Sequence, residues 1–383
     1  MNYREAYVVD ILRDMISFNT VNEPGNEDLL AKYLGLELEN LGFEIRIVPC
    51  GDYRSSIVAF KGNPNGIKLL FNGHLDVVAT SNNWSSDPFT LTQAGDRLYG
   101  RGTADMKGGI ASMIAAVKQL TDERFDYTQG QLILTFVADE ELYNKGTHSV
   151  LELPEVKNAD YAIIGEPTDL NICIGHRGTS RSVIRVNGRP CHSSKPELGL
   201  NAISIMSHVI QAIDRHNEEL KTITHPVLPS PTIAVVMIEG GEKDNIIPGH
   251  CEIKFDRRTL PSDTKQSVQD EISTLLDSIR RHVKEFSYEI VPYIYLEAGE
   301  VSPDSLVVSK SMKAYEMVFG RGAVLRDFSA TCEQSLFMNQ GIDTLIFGPG
   351  HLNQAHVDDE YTTISQLNAA AEFYYAVIKE FLA

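Results

Sequence analysis

The sequence predicts an α/β protein in which a mostly parallel sheet with helices on both faces is interrupted by a smaller α+β module. Three observations support this prediction. Up to residue 177, apolar strand-like runs alternate with segments of helical spacing, as in parallel sheets. Over residues 178–294 the order becomes β-α-β-β-α-β, which is typical of a ferredoxin-like module. Helix–strand alternation returns over residues 295–383, so the module is inserted between two parts of one domain.

The first part, residues 1–177, opens with two segments of helical apolar spacing. The second of these helices ends at Gly42, a residue type that commonly terminates helices. In chain order, the predicted helices are Tyr3–Phe18, Asn26–Leu41 and Ile110–Leu120, and the predicted strands are Phe43–Val48, Ser56–Phe60, Leu69–Val78, Asp96–Gly100, Gln131–Ala138 and Tyr161–Gly165.

The inserted module and the last part of the chain follow the same rules of spacing. In the module we predict strands at Ser180–Val186, Thr232–Glu239, His250–Arg258 and Tyr288–Tyr293, with helices at Gly199–Asn217 and Asp263–Phe286. In the last part we predict a helix from Ser305 to Phe319, strands near Ala323–Leu325 and at Thr344–Phe347, and a final helix Ile364–Leu382.

The composition, with 43% hydrophobic and 22% charged residues, is ordinary for a globular protein such as an enzyme. A net charge of -18 argues against a nucleic-acid or anionic-membrane partner. No apolar run approaches the ~20 residues of a membrane span, and the amphipathic N-terminus lacks the pattern of a signal peptide. The five cysteines are scattered without a CxxC pair, which favours reduced thiols and a cytoplasmic location.

The strand Leu69–Val78 brings a histidine and a carboxylate together. His74 and Asp76 are two residues apart, so they project to the same face of the strand. A buried imidazole beside a carboxylate is costly unless something compensates for its polarity. A metal ion bound by His74, with Asp76 orienting that ligand or binding beside it, would do so. Taken alone, a histidine that is hydrogen-bonded to a local aspartate explains the pair equally well.

Further acidic residues fall at predicted strand ends or at the start of a helix. These are Asp105, Glu140, Glu141 and Glu166, and His356 follows the strand Thr344–Phe347. Because the carboxyl ends of parallel strands share one edge, the set suits two divalent transition metals bridged by an aspartate. Singly, each acid is explained as a helix cap or as a solvated group.

His351 competes with His356 for the ligand role. The turn GRGTADMKGG lacks the spacing of a phosphate-binding loop.

Eight segments in this order strengthen the metal hypothesis: NGHLDVV, GRGTADMKGG, ADEEL, GEPT, GHRG, CHSSKPELGLNA, DNIIPG and GPGHLNQAHVDDEY. Over nearly the whole chain they resemble the di-zinc amidohydrolase and metallopeptidase family. That family includes acetylornithine deacetylases, succinyl-diaminopimelate desuccinylases, aminoacylases and glutamate carboxypeptidases. The chain most resembles the acetylornithine deacetylase group. The resemblance implies a di-zinc exopeptidase type of fold with an inserted lid and dimerisation domain, and therefore a homodimer.

The resemblance also implies a role for each matching residue. His74 and Glu166 would hold one Zn²⁺, Glu141 and His356 the other, and Asp105 would bridge the two, with Co²⁺ or Mn²⁺ as possible substitutes. Asp76 would orient His74, Glu140 would be the general base, and the Asp105–Met106 peptide would be cis. His192 would stabilise the oxyanion, Arg258 and Asn245 would bind the substrate carboxylate, and Glu333 would face a cationic substrate tail.

The alternation of side chains along an extended backbone agrees with the roles of the Glu140–Glu141 pair and of Arg258. Neighbouring residues on an extended backbone point apart, so Glu140 and Glu141 can serve different purposes. By the same alternation, Arg257 lies on the opposite face from Arg258. The TCEQ stretch that holds Glu333 departs from the Cys-Thr-Glu-Ala order of acetylornithine deacetylases, which leaves the side-chain specificity open.

The sequence therefore predicts a metal-dependent enzyme that hydrolyses the amide bond of a small N-acyl amino acid. N2-acetyl-L-ornithine, an intermediate of arginine biosynthesis, is the first substrate hypothesis. Acetylcitrulline, succinyl-diaminopimelate or a dipeptide are the alternatives, and a more distant one is an inactive binding protein of the same fold.

Overall fold

The computed structural model describes residues 3–283 and 285–383, and the chain forms two compact units. One unit is built from Met1–Gly175 and Glu300–Ala383 and is called the split unit below. The other, His176–Gly299, is called the inserted unit. Each unit has its own sheet and its own apolar core.

The helices of the split unit lie before and after the inserted unit in the chain. In chain order the helices are α1 (Tyr3–Ser17), α2 (Glu27–Asn40), α3 (Lys107–Asp122), α4 (Lys145–Leu151), α5 (Pro154–Lys157), α6 (Ala202–Leu220), α7 (Lys265–Arg280), α8 (Leu306–Phe319), α9 (Gln334–Met338) and α10 (Ile364–Leu382). Of these, α6 and α7 belong to the inserted unit. Among the described residues, no helix combines the length and the apolar character needed to cross a bilayer.

The strands follow the same division. In chain order they are β1 (Glu44–Gly51), β2 (Arg54–Gly62), β3 (Ile67–His74), β4 (Thr92–Ala94), β5 (Arg97–Tyr99), β6 (Gly130–Val137), β7 (Tyr161–Ile164), β8 (Cys173–His176), β9 (Gly178–Asn187), β10 (Cys191–His192), β11 (Thr232–Gly240), β12 (Ile246–Ile247), β13 (His250–Thr259), β14 (Ser287–Leu296), β15 (Gly299–Glu300), β16 (Arg326–Phe328), β17 (Asp343–Ile346) and β18 (Tyr361–Thr363).

The central sheet of the split unit is parallel in the middle and antiparallel towards its edges. Its strand order is β1-β2-β6-β3-β7-β17-β8-β15, with β16 paired to β8. The neighbours β6, β3, β7 and β17 run parallel, whereas β1, β2 and β8 pair with antiparallel neighbours. The predicted mostly parallel sheet is therefore confirmed for the strands that carry the candidate site.

Both faces of this sheet are covered by helices, as predicted. Leu70 of β3 belongs to an apolar cluster that includes Val150 of α4 and Phe337 of α9. Its neighbour Phe71 points to the other face, where its ring centroid lies 5.2 Å from that of Tyr374 in α10. Because β3 is buried on both faces, it contains a continuous apolar run, Leu69, Leu70 and Phe71.

The start of α3 is held close to the sheet by a glycine. A Cβ atom at Gly109 would lie 2.2 Å from the carbonyl oxygen of Gly165, so only glycine allows this approach. The contact places the loop that precedes α3 next to the chain that leaves β7, and these two segments contain Asp105 and Glu166.

The inserted unit has the predicted β-α-β-β-α-β order. Its antiparallel sheet runs β11-β13-β9-β14, and α6 and α7 contribute to its apolar core through residues such as Met206 and Ile272. A separate two-stranded ribbon pairs β10 with β12. The edge strand β11 exposes three consecutive apolar side chains, Val236, Met237 and Ile238.

The structure differs from the sequence prediction mainly in short elements. The strand expected near Ala323–Leu325 is β16, at Arg326–Phe328, where only Phe328 is buried. Helices α4, α5 and α9 were not predicted, because four to seven residues show too little periodicity to stand out. Strand β18 was not predicted for the same reason, because it has only three residues.

Candidate metal centre and active site

The candidate site lies at the carboxyl edge of the parallel strands in the split unit. His74 is the last residue of β3, Glu140 and Glu141 follow β6, and Glu166 follows β7. Asp105 is contributed by the loop before α3, and His356 by the segment between β17 and β18. Five separate chain segments therefore converge on one edge, as parallel topology favours.

Two groups of potential ligand atoms share one aspartate. The first group is His74, Asp105 and Glu166, and the second is Asp105, Glu141 and His356. In the first group, His74 Nε2 lies 3.1 Å from Asp105 Oδ1 and 3.7 Å from Glu166 Oε1. In the second group, His356 Nε2 lies 3.2 Å from Asp105 Oδ2 and 3.1 Å from Glu141 Oε2. The two oxygens of Asp105 thus face different histidines, which is the arrangement expected of a bridging carboxylate.

The pKa values reflect an excess of negative charge in a buried space. Burial would raise the pKa of Asp105, but the hydrogen bonds from His356 and His74 hold it well below its usual value. Burial and the charge of Asp105 raise the pKa values of Glu141 and Glu166. Hydrogen bonds to Asp105 and Glu141 raise the pKa of His356 to about 10. A site in which carboxylates repel one another and favour positive histidines is suited to divalent cations.

Glu140 belongs to a different cluster from its neighbour Glu141. Its carboxylate groups with those of Glu166 and Glu333, and not with either histidine. Burial and the charge of Glu333 raise the pKa of Glu140 well above its usual value. The expected divergence of the two adjacent side chains is therefore present in the geometry. Glu140 therefore lies beside the two candidate ligand groups and is not a member of the group that contains His356.

Asp76 contacts His74 through its main chain and not through its carboxylate. His74 Nδ1 lies 2.9 Å from the carbonyl oxygen of Asp76, whereas the nearest carboxylate oxygen is 3.8 Å away. The carboxylate accepts hydrogen bonds from the main-chain N–H groups of Glu140, at 3.0 Å, and Glu141, at 3.1 Å. Asp76 therefore fixes the ring of His74 through its main chain and the backbone of the two glutamates through its carboxylate, whereas the sequence predicted that the carboxylate would orient His74.

Sequence reasoning missed a buried polar network behind this site. Asn22 Nδ2 donates to Asp76 Oδ2 at 2.9 Å and to Asp139 Oδ1 at 3.1 Å. Arg54 Nη1 donates to the same Asp139 oxygen at 2.8 Å, and Arg54 Nε donates to Glu27 at 3.0 Å. A buried arginine balances the carboxylates here. The available signal was Arg54 itself, a charged residue at the start of an apolar strand.

Glu333 is fully buried. Its Oε1 accepts a hydrogen bond from Asn72 Nδ2 at 2.9 Å, while its Oε2 has no hydrogen-bond partner among the described residues. Burial raises the pKa of Glu333. Its position favours a role among the carboxylates of Glu140 and Glu166 over the contact with a substrate tail that the sequence suggested.

The remaining predicted residues belong to the inserted unit. His192 is exposed on β10, and its Nδ1 lies 2.8 Å from Ser194 Oγ. The carbonyl oxygen of Asn245 accepts a hydrogen bond from the main chain of Ser193 at 2.9 Å, so the β10–β12 ribbon brings Asn245 near His192. Arg258 is on another strand and donates to Thr179 Oγ1 at 2.9 Å.

Strand alternation separates the two adjacent arginines of β13, as predicted. Arg257 is buried and pairs with Glu271 of α7, so it lies on the helix-covered face of the sheet. Arg258 points to the other face, where its Nε lies 2.8 Å from Asp256 Oδ1. A substrate carboxylate at Arg258 would have to compete with this aspartate.

Two further expectations concern the backbone and the competing histidine. The Asp105–Met106 peptide is cis, as the resemblance implied. His351 accepts a hydrogen bond at Nδ1 from the main chain of Asn353 at 3.0 Å and belongs to neither ligand group. The geometry therefore favours His356 over His351 as the ligand.

Comparison with known proteins places the chain in a family. Residues 70–380 match the profile described as Peptidase family M20/M25/M40. The acetylornithine deacetylase of Proteus mirabilis is 31% identical over 398 aligned positions, covering 100% of this chain and 98% of the relative. That of Vibrio cholerae is 32% identical, covering 92% of this chain and 93% of the relative. The chain belongs to the M20/M25/M40 peptidase family and is a metal-dependent hydrolytic enzyme.

Solved structures of low sequence identity share the fold. Aminopeptidase PepT from Bacillus cereus superposes with a TM-score of 0.83 at 18% identity, covering 99% of both chains. An M20 metallo-carboxypeptidase from Sulfolobus solfataricus gives 0.77 at 20% identity, covering 100% of this chain and 99% of the other. A dinuclear metal-binding M20 peptidase from Bacillus subtilis gives 0.76 at 16% identity, covering 99% and 98%.

Proposed function

We propose that this protein is a zinc-dependent amidohydrolase that converts N2-acetyl-L-ornithine to acetate and L-ornithine. The observation that carries the proposal is the pair of ligand groups that share Asp105, with the separate carboxylate of Glu140 beside them. The two acetylornithine deacetylases that match nearly the whole chain support the choice of substrate.

The residues present fit a pair of divalent ions. His74 and Glu166 would hold one ion, Glu141 and His356 the other, and Asp105 would contact both. Mixed imidazole and carboxylate ligands suit Zn²⁺, with Co²⁺ or Mn²⁺ as substitutes. When bound, the ions polarise the amide carbonyl and lower the pKa of water towards ~7.

Glu140 is proposed as the general base and acid. It takes a proton from the attacking water as the new C–O bond forms at the amide carbonyl. It then gives that proton to the leaving amine as the C–N bond breaks, which releases acetate and the free amino acid. The hydrogen bonds from the main chains of Glu140 and Glu141 to Asp76 hold this segment in place for both steps.

Residues of the inserted unit complete the proposal. His192 donates to the oxyanion, and Arg258 binds the α-carboxylate of the substrate with help from Asn245. For Arg258 this requires the carboxylate to replace Asp256 as the partner of the guanidinium. A contact of Glu333 with a cationic substrate side chain stays a prediction, because its buried carboxylate lies among those of Glu140 and Glu166.

We further propose a cytoplasmic homodimer that forms through the inserted unit. The exposed apolar residues of β11 lie on an edge strand, which has unpaired main-chain groups along one side. A second copy of the same strand is a partner of matching chemistry, because it would cover both the apolar side chains and the open edge.

The decisive experiment measures acetate release from N2-acetyl-L-ornithine by purified protein. It is run with Zn²⁺, with Co²⁺ and after chelation, and in parallel with acetylcitrulline, succinyl-diaminopimelate and a dipeptide. We expect turnover that depends on metal and that is fastest with acetylornithine. Faster metal-dependent turnover of another amide would keep the mechanism and replace the substrate. A fully metallated protein that hydrolyses none of them would contradict the proposal in favour of a binding protein.

A further inference from the structure

Glu360 is a fully buried carboxylate that the proposed chemistry does not use. It precedes β18 and lies four residues after His356 in the same segment. Burying a carboxylate is costly unless hydrogen bonds and an opposite charge compensate for the lost solvation. Its contacts therefore indicate what the residue holds in place.

The carboxylate of Glu360 accepts several hydrogen bonds from the loop that carries Asp105. Its Oε1 accepts hydrogen bonds from the main-chain N–H groups of Gly102 at 3.1 Å, Ala104 at 2.8 Å and Asp105 at 3.0 Å. Its Oε2 accepts a hydrogen bond from Arg101 Nη1 at 2.7 Å. Four neighbouring residues are thus bound by one side chain, and one of them is the shared aspartate itself.

The surroundings of this loop make the arrangement rigid. The main-chain carbonyl of Glu360 accepts a further hydrogen bond from the N–H of Gly100 at 3.0 Å. Gly102 has a φ of +91°, in the left-handed region that glycine adopts without strain. Arg101 is buried, lies 5.1 Å from the centre of the Trp84 ring, and donates to the carbonyl of Ala79 at 3.2 Å. The loop that carries Asp105 is therefore held by Glu360 and, through Arg101, by Trp84 and Ala79.

The geometry of the candidate metal centre depends on where this loop lies. Each oxygen of Asp105 is a little over 3 Å from one of the two histidines, 3.1 Å to His74 and 3.2 Å to His356. A small shift of the loop would bring one oxygen closer to its histidine and move the other away. Glu360 joins this loop to the segment of His356, so it fixes two members of the Asp105–Glu141–His356 group relative to each other.

We propose that Glu360 is a positioning residue for the metal centre. It sets the placement of Asp105 and the separation of Asp105 from His356, and thereby the affinity of the ion that these two residues and Glu141 bind. The inference rests on the proposed metal-dependent function. It goes beyond that function by assigning a role to a residue that touches neither ion nor substrate.

A purely structural role predicts a different outcome. A buried Glu–Arg pair that only stabilises the fold would lower the free energy of unfolding when it is broken, without changing metal affinity. Glu271 provides the matched comparison, because it is a carboxylate of the inserted unit paired with the buried Arg257 at 3.0 Å. Glu271→Gln should destabilise the protein and leave Zn²⁺ binding unchanged.

The test is a Zn²⁺ titration of chelator-treated full-length protein against a chromophoric competitor. Wild type, Glu360→Gln, Glu360→Asp and Glu271→Gln are compared, and urea unfolding of each metal-free protein is measured in parallel. Glu360→Gln keeps the side-chain length and removes the charge, whereas Glu360→Asp keeps the charge and shortens the reach. We expect both Glu360 variants to bind one of the two ions about 10- to 100-fold more weakly than wild type.

A second readout reports the geometry of the ligands. The visible absorption of Co²⁺-loaded protein depends on the coordination of the ion, and we expect it to change in both Glu360 variants but not in Glu271→Gln. Wild-type Zn²⁺ affinity and an unchanged Co²⁺ spectrum in both Glu360 variants would overturn the inference, even if both unfold more easily. If the wild type itself binds no Zn²⁺, the proposed function fails first, and the inference fails with it.

Discussion

The neighbours Glu140 and Glu141 place their carboxylates in different clusters of the site. Glu141 lies 3.1 Å from His356 Nε2, while Glu140 groups with Glu166 and Glu333. The main-chain N–H groups of both residues are held by Asp76. Because the backbone is fixed, the side chains can diverge without either losing its place.

We predict that Glu140→Gln lowers kcat by about 10²- to 10⁴-fold, the usual contribution of a positioned acid–base group. The variant should retain the metal content of wild type, because Glu140 is in neither histidine-containing group. Steady-state kinetics and elemental analysis of the purified variant test both parts.

Glu141→Gln serves as the comparison, and we expect it to lose part of the bound metal. If metal is instead lost from the Glu140 variant and kept in the Glu141 variant, the two roles have been assigned the wrong way round.

Much of the site could be predicted at the level of single residues. Strand ends and acidic residues are visible in the sequence, and parallel topology places the carboxyl ends of the strands at one edge of the sheet. The hydrogen bonds that join Asn22 to Asp76 and to Arg54 could not be predicted. The paired residues are 54 and 32 positions apart, and no local spacing reveals such pairs.

At the scale of secondary structure, long elements were predicted well and short ones were not. Strands β3 and β6 and helices α3 and α10 have extended apolar patterns that their burial explains. Helix α9 is five residues long and buries the polar residues Gln334 and Ser335, so its sequence looks like a loop. Its burial depends on tertiary hydrogen bonds, such as the one that Gln334 donates to the carbonyl of Ile174 at 3.1 Å.

Helix α1 ends against the start of α3 through a buried lysine. Lys107 Nζ donates to the main-chain carbonyls of Met15 at 3.0 Å and Phe18 at 3.1 Å. We predict that Lys107→Met lowers the free energy of unfolding by about 1–3 kcal/mol, because buried acceptors lose their donor. Urea unfolding of the metal-free protein measures this loss.

Lys118 is the control for this prediction. It lies on the same helix and pairs with the exposed Asp122. Lys118→Met should change the stability by less than about 1 kcal/mol, as is usual for a surface ion pair. Equal effects at the two positions would contradict the assignment.

Helix α7 is joined to β13 by an ion pair that predicts a dependence on pH. Burial would raise the pKa of Glu271, but its hydrogen bond and charge interaction with Arg257 lower it below the usual value of 4.5. The carboxylate therefore contributes stability that is present above the unfolded-state pKa. This contribution is lost as the pH falls through the lower, folded-state pKa.

We expect amide hydrogen exchange in α7 and β13 to accelerate as the pH is lowered below about 4.5, after correction for intrinsic exchange rates. In Glu271→Gln this part of the pH dependence should be absent. Mass spectrometry of peptides from the two elements provides the measurement. An identical pH profile in the variant would show that Glu271 does not contribute.

For the whole molecule, the proposed ions would tie distant parts of the split unit together. The carboxylates of Asp105, Glu141 and Glu166 lie close together in a buried space, where bound cations would offset their mutual repulsion. We predict that chelation lowers Tm and that added Zn²⁺ restores it. The free-energy gain should reach about 4 kcal/mol at a Zn²⁺ concentration 1,000-fold above Kd. Differential scanning calorimetry with Mg²⁺ as the control ion measures this, and a Tm that does not respond to chelation contradicts the prediction.

The proposed dimer predicts that its stability depends on β11. Ile238 is 58% exposed on this edge strand, and Val324 is 67% exposed in the split unit. Ile238→Lys should raise the dimer dissociation constant at least about tenfold, which corresponds to ~1.4 kcal/mol. Val324→Lys should leave it unchanged. Sedimentation velocity over a range of concentrations distinguishes the two, and a monomeric wild type would refute the dimer.

The arrangement of the split unit also has a consequence for protein synthesis. Strand β17 lies between β7 and β8 in the sheet, although some 180 residues separate it from β7 along the chain. The ribosome therefore releases β3, β6 and β7 well before the strand that completes their sheet. The inserted unit is contiguous and can fold while translation continues. Until β17 is synthesised, β7 has an unpaired, apolar strand edge, which exposes the nascent N-terminal part to aggregation.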